Sequence, residues 1–198
     1  MILARAAGWN PEALVKRTWA GEGLGLAQVA EQLEPDVLIV GARGAGASDS
    51  KLGSVSDLVV HHAPRPVLVV SQNMISAEYE AVSDGPVVVG VDGSEGSERA
   101  LAAAGALFPG REVVSVGVDD GSAVDVAAAQ PGHRVPRFRG SGAGATADAL
   151  VAFAEDQRAG VVVVGSRGRS ALKKVLLGSV ARALQRTYGR SVGGAGPG

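Results

Sequence analysis

Two stretches of this 198-residue chain repeat one arrangement of glycines and a hydroxyl that suits the binding of a phosphate chain. In the later stretch Val161, Val162, Val163 and Val164 run into Gly165, Ser166, Arg167 and Gly168, and after nine intervening residues Gly178, Ser179 and Val180 open an amphipathic segment. The pattern predicts a buried strand, a glycine turn, a loop and a helix start. The first N–H groups of a helix lack intrahelical partners, and the aligned peptide dipoles leave that end partly positive, so it favours anions. Gly178 adds no side chain to obstruct a phosphate, and Ser179 supplies both a helix cap and a hydroxyl donor. Arg167, Arg169, Lys173 and Lys174 surround this loop with positive charge. Each feature also has a plain structural reading: glycines after a strand turn the chain tightly, and a serine before a helix caps it.

The earlier copy begins with Val37, Leu38, Ile39, Val40, Gly41, Ala42, Arg43 and Gly44 and closes on Gly53, Ser54 and Val55. Residues 37–44 align with 161–168 at an offset of 124, whereas Gly53 aligns with Gly178 at 125, so one residue is missing from the first loop. There Arg43 and Lys51 are offset by Asp49. The second copy is therefore the expected anion site, and Gly41, Gly44, Gly53 and Ser54 are expected to keep the loop's shape without a complete site. Upstream, Leu26, Val29, Ala30 and Leu33 mark one helical face, as do Ala147, Leu150, Val151 and Ala154 in the second copy. Each copy reads helix, buried strand, glycine loop, helix.

Around the copies, Pro66 to Val70 reads as a strand and residues 71–85, polar and without sustained period, as a linker. Residues 86–91 form a strand ending at Asp92, Gly93 and Ser94, 97–108 a helix stopped by Pro109 and Gly110, 112–118 a second strand and 135–139 a third. Residues 13–19 are expected to form a strand in the first half, after a helix end over 1–7. Short, almost wholly apolar strands alternating with helices predict an α/β fold, an open parallel sheet with helices on both faces. The expected division is a partial domain over 1–70, a linker over 71–85, a second domain over 86–192 and a disordered tail over 193–198.

Composition narrows the functional classes. The chain is 46% hydrophobic and 20% charged with a net charge of −1, which disfavours nucleic acid as the main partner because duplex binding needs a concentrated basic face. The absence of cysteine removes disulfides, thiolate metal sites and a thiolate nucleophile, and fits a cytoplasmic protein. His61 and His62 are adjacent rather than spaced i, i+4 as a helical metal pair would be, and read as surface residues at a helix C-terminus. His133, among Pro131, Gly132 and Pro136, reads as a loop residue. No apolar run is long enough to span a bilayer, so neither a metal site nor a membrane partner is expected.

The spacing Gly165, Gly168, nine residues, Gly178-Ser179 resembles the nucleotide loop of the universal stress protein family, and residues 89–94, Val-Gly-Val-Asp-Gly-Ser, resemble that family's first strand and aspartate. Residues 35–41 and 62–70 are similar to its fourth and fifth strands. The likeness covers nearly the whole chain as a tandem of two such domains. It implies a Rossmann-like sheet of order 3-2-1-4-5 in each copy, with ATP, accompanied by Mg²⁺, in the crevice at the strand carboxyl ends. It also implies that Asp92, with Gly93 and Ser94, contacts adenosine, that Gly165, Arg167 and Gly168 let the loop approach the phosphates, and that Gly178, Ser179 and Val180 donate to them.

Against that pattern the first copy lacks its first two strands and an Asp92 equivalent, and the second lacks a clear fifth strand and has little room for a second helix between Asp119 and His133. A tandem protein truncated at both ends is expected, associating with itself through open sheet edges or closing them by internal docking. Three functions follow: an ATP-binding regulatory stress-response protein, a nucleotide-free interaction scaffold, and a slow ATP hydrolase. The last is weakest, because the chain has no Gly-x-x-x-x-Gly-Lys-Ser/Thr loop and no histidine or carboxylate pair near the glycine loop to act as a base. Asp92-Gly93-Ser94 also reads as an Asx turn leading into a helix, and both readings stand at this point.

Overall fold

A computed structural model describes residues 5, 7–19, 21–42, 52–71, 76–119, 132–136 and 142–166. They form two α/β units with parallel sheets, the first smaller than the second. In the first, α1 (Glu22–Leu33) leads to β1 (Leu38–Gly41), and α2 (Ser54–His62) to β2 (Val67–Val70). The strands pair in parallel, Leu38 opposite Val67 through Gly41 opposite Val70, and parallel neighbours require a crossover such as α2 provides.

Only part of the face expected for α1 is buried, Ala30 fully and Val29 by half. Gly23, Ala27 and Ala30 are buried, whereas Leu26 and Leu33 are 43% and 64% exposed. The reason is close approach to α2: a Cβ at Gly23 would lie 2.6 Å from the Cβ of Leu58, so only a stripe of small residues fits there. α1 ends at Glu34, whose N–H makes the last bond to the Ala30 carbonyl before its left-handed backbone turns the chain away, and Pro35 cannot continue the helix.

The strand expected over 13–19 does not form. Leu14, Val15 and Trp19 are exposed, and what holds this stretch is contact with α1, through Thr18 against Gly25 and a hydrogen bond from Lys16 to Gln32. A strand needs a neighbour to take its ladder hydrogen bonds, and β-propensity alone does not supply one.

After β2, α3 (Ser76–Asp84) occupies the stretch expected to lack regular structure. There follow β3 (Val87–Gly90), α4 (Glu95–Leu107), β4 (Val113–Asp119), β5 (His133–Pro136), α5 (Ala143–Asp156) and β6 (Val161–Val164). All pairs are parallel, in the order β5-β4-β3-β6. This order matches the first four positions of the expected 3-2-1-4-5 arrangement, and β1-β2 matches its last two.

β3 lies between β4 and β6, and Val87, Val88 and Val89 are fully buried. Successive side chains of a strand point to opposite faces. Val88 accordingly packs with Val114, Val116 and the α5 residues Ala147, Leu150, Val151 and Ala154, the face expected from their spacing. Val87, Val89 and Val91 pack with Ala100 and Ala104 of α4 on the other side. A sheet covered on both faces explains why β3 and β6 are runs of valine rather than alternating strands.

His133 begins β5 instead of sitting in a loop: it pairs with Val116, and its ring lies 5.4 Å from that of Phe153. The third strand thus starts two residues before the expected 135, because register with β4, not local apolarity, sets its start.

Candidate nucleotide site

β3 and β6 are neighbours, Gly90 opposite Val164, yet the chain leaves them in opposite directions. From β3 it passes through α4 to β4 and then to β5 on one side, and it returns through α5 to β6 on the other. In open α/β sheets this reversal of order parts the loops beyond the strand carboxyl ends and opens a crevice there. Asp92, Gly93, Ser94 and Gly165 all stand at that place.

β3 continues into Val91, whose N–H still bonds Val116 across the sheet at 2.9 Å, and then breaks at Asp92. Gly93 makes the turn with φ 76°, a left-handed backbone that a side chain would strain. The Asp92 carboxylate is fixed by its neighbour: Oδ1 accepts the Ser94 N–H at 3.0 Å and the Ser94 hydroxyl at 2.6 Å. This is an Asx turn, the arrangement that the local sequence allowed. Ser94 in turn is the N-cap of α4, its Oγ accepting the Ser97 N–H at 3.2 Å, while the Ser97 hydroxyl returns to the Ser94 carbonyl at 2.8 Å. A carboxylate is thereby held half-buried beside the positive end of a helix.

Gly165 closes the other wall. A Cβ there would lie 2.6 Å from both the carbonyl carbon and oxygen of Gly96, and 3.0 Å from the Ser97 nitrogen. The first residue of the loop after β6 therefore rests on the backbone of the first turn of α4, and glycine at this position is a requirement of packing. The sequence did not single out Gly96 and Ser97 as site residues, although a glycine and a serine one residue beyond Asp92-Gly93-Ser94 offered a signal of close approach. The remaining expected contacts, Arg167, Gly168, Gly178, Ser179 and Val180, lie outside the described residues. Gly165 thus packs on the first turn of α4, the helix that begins at the Ser94 cap fixing the Asp92 carboxylate.

In the first unit Gly41 ends β1 and is followed by Ala42, and Gly44 lies outside the described residues. The Gly53 N–H donates to the Ala42 carbonyl at 2.8 Å, and the buried Ser56 hydroxyl donates to the Gly41 carbonyl at 2.6 Å. These two bonds fasten the start of α2 to the end of β1, with Ser54 exposed at the first helical position. Ser56 was not singled out by the sequence, since a serine inside a helical pattern gives no sign of what it reaches. His61 and His62 occupy the last turn of α2, where His61 Nδ1 meets the Asp57 carbonyl at 2.7 Å. Among the described residues no three histidine, aspartate or glutamate side chains gather as a metal site would need.

Comparison with known proteins agrees with this architecture. The sequence model of the universal stress protein family matches residues 3–71 and 123–188. Universal stress protein Rv2623 of Mycobacterium tuberculosis is 31% identical over 168 residues, 73% of this chain and 56% of that protein. Universal stress protein Rv2005c of the same species is 31% identical over 175 residues, 76% of this chain and 58% of that protein. Universal stress protein PHOS32 of Arabidopsis thaliana is 45% identical over 64 residues, 30% of this chain and 24% of that protein. The chain thus spans a little over half the length of the mycobacterial relatives. With two family matches in tandem over parallel α/β units, the chain belongs to the universal stress protein family.

Proposed function

We propose that the chain is an ATP-binding regulatory protein of the stress response, not an enzyme, with one nucleotide held in the second unit. The observation that carries this reading is the contact of Gly165 with the start of α4, at the carboxyl ends of β3 and β6 where strand order reverses. In the proposed complex Asp92, with Gly93 and Ser94, accepts hydrogen bonds from adenosine. Gly165, Arg167 and Gly168 let the loop follow the phosphates, which Gly178, Ser179 and Val180 receive through backbone N–H and hydroxyl donors, with Mg²⁺ on the phosphate oxygens. The proposal includes a cytoplasmic location and self-association through sheet edges. It also keeps the first unit at 1–70 and the body of the second at 86–192.

Bound nucleotide would order the loop and change the surface that partners meet. Purified chain, stripped of ligand and titrated with ATP by calorimetry, tests the proposal: one site per chain is expected, and no heat of binding would reject it.

A second reading, a nucleotide-free scaffold of the same fold, draws on the Asx turn, which accounts for Asp92 without any ligand. Co-elution of adenine nucleotide with freshly purified protein separates the two.

A further inference from the structure

Three connections converge at the amino-terminal end of the second sheet: α3 into β3, α4 into β4, and α5 into β6. The last turn of a helix leaves carbonyls without intrahelical partners and carries the negative end of the dipole, so a cation placed there is favoured. Arg111, between α4 and β4, takes this position at the end of α3. Its Nε donates to the Gly85 carbonyl at 2.8 Å, Nη1 to Val82 at 3.0 Å and Nη2 to Ala81 at 3.3 Å, with a further bond from Nη2 to Gly85. The guanidinium also lies 5.4 Å from the centre of the Phe108 ring, a cation–π distance.

Two glycines let the backbone close around this group. A Cβ at Gly85 would lie 2.5 Å from the Arg158 carbonyl and 2.6 Å from that of Ala81. One at Gly160 would collide with the Ala81 carbonyl and lie 2.5 Å from Arg111 Nη2, while the Gly160 N–H itself donates to Pro86 at 3.0 Å. The end of α3 is thus seated in a socket built from both neighbouring connections.

We propose that Arg111 is a clamp that fastens α3 to the second unit, so that this helix is an element of that unit and not a free tether between the two. The clamp acts at the base of β3, the strand whose other end carries Asp92, and fixes where the chain from the first unit enters. A planar fork of donors suits three carbonyls on one helix end, and lysine would offer only a point charge.

Hydrogen exchange on the full chain tests this, comparing residues 80–85 with β3 in wild type, Arg111→Ala, Arg111→Lys and Gly160→Ala. Wild-type amides over 80–85 should be protected. Arg111→Ala and Gly160→Ala should speed their exchange at least about tenfold while Val87 to Gly90 stay protected, and Arg111→Lys should fall between. Exchange over 80–85 unchanged by Arg111→Ala would overturn the clamp, as would wild-type exchange at the rate of an unstructured chain. Equal acceleration in 80–85 and β3 would show that Arg111 serves the whole unit, and would overturn it too.

Discussion

The Ser94 hydroxyl donates to Asp92 Oδ1 over 2.6 Å and accepts the Ser97 N–H over 3.2 Å, so one oxygen both orients the candidate adenosine carboxylate and caps α4. Ser94→Ala removes both bonds. The lost cap should lower stability by about 1 kcal/mol, and Ser94→Thr, which keeps an oxygen in place, should lose less. Urea unfolding measures this through the shift in midpoint at constant slope. An unchanged midpoint in Ser94→Ala would contradict the capping role.

Two glycines of the second unit should answer alanine with opposite signs. Gly165→Ala drives a methyl into the backbone of Gly96 and Ser97, which cannot yield as a flexible side chain could, and should destabilise by about 1–3 kcal/mol. Gly105 lies in α4 with nothing within 4 Å of its would-be Cβ, so Gly105→Ala should stabilise by about 0.5–1 kcal/mol. Thermal unfolding of both variants decides the matter; a loss at Gly105 would mean that the helix surface there is covered.

For the nucleotide, the division of contacts predicts a division of effects. Asp92→Ala should weaken ATP and AMP alike, because adenosine is common to both. Gly178→Val and Ser179→Ala should weaken ATP more than AMP, the valine by more than the alanine, whose lost donor is worth about 1 kcal/mol. Calorimetric titrations with the two nucleotides read this directly. Equal losses from both kinds of variant would remove the assignment of Asp92 to adenosine.

Ser56 is 6% exposed and donates to the Gly41 carbonyl at 2.6 Å, joining α2 to β1 in the first unit. Ser56→Ala leaves that carbonyl short of a donor and should cost about 1–2 kcal/mol. Native-state exchange in β1 and α2 should rise while β3 and β4 are spared. A rise shared equally by both sheets would show that the two units unfold together.

The valine runs Val87 to Val89 and Val161 to Val164, the buried α5 face and the Asx turn at Asp92 were legible in the sequence. Each is a local pattern whose period or chemistry leaves few conformations open. What the sequence left undecided depends on partners distant along the chain. Residues 13–19 have the composition of a strand, but among the described residues no strand pairs with them. α1 buries Gly23, Ala27 and Ala30 instead of its leucines because α2 comes too close for anything larger. α3, in a stretch without periodicity, receives its terminal hydrogen bonds from Arg111, and His133 is drawn into β5 by register with Val116. The sequence by itself determined the buried strands and the α5 face of the second sheet, since a continuous or regularly spaced apolar run has few other places to go. Tertiary structure decided which faces meet and which backbone groups are satisfied, because hydrogen bonds and close approach exist only once both partners are in place.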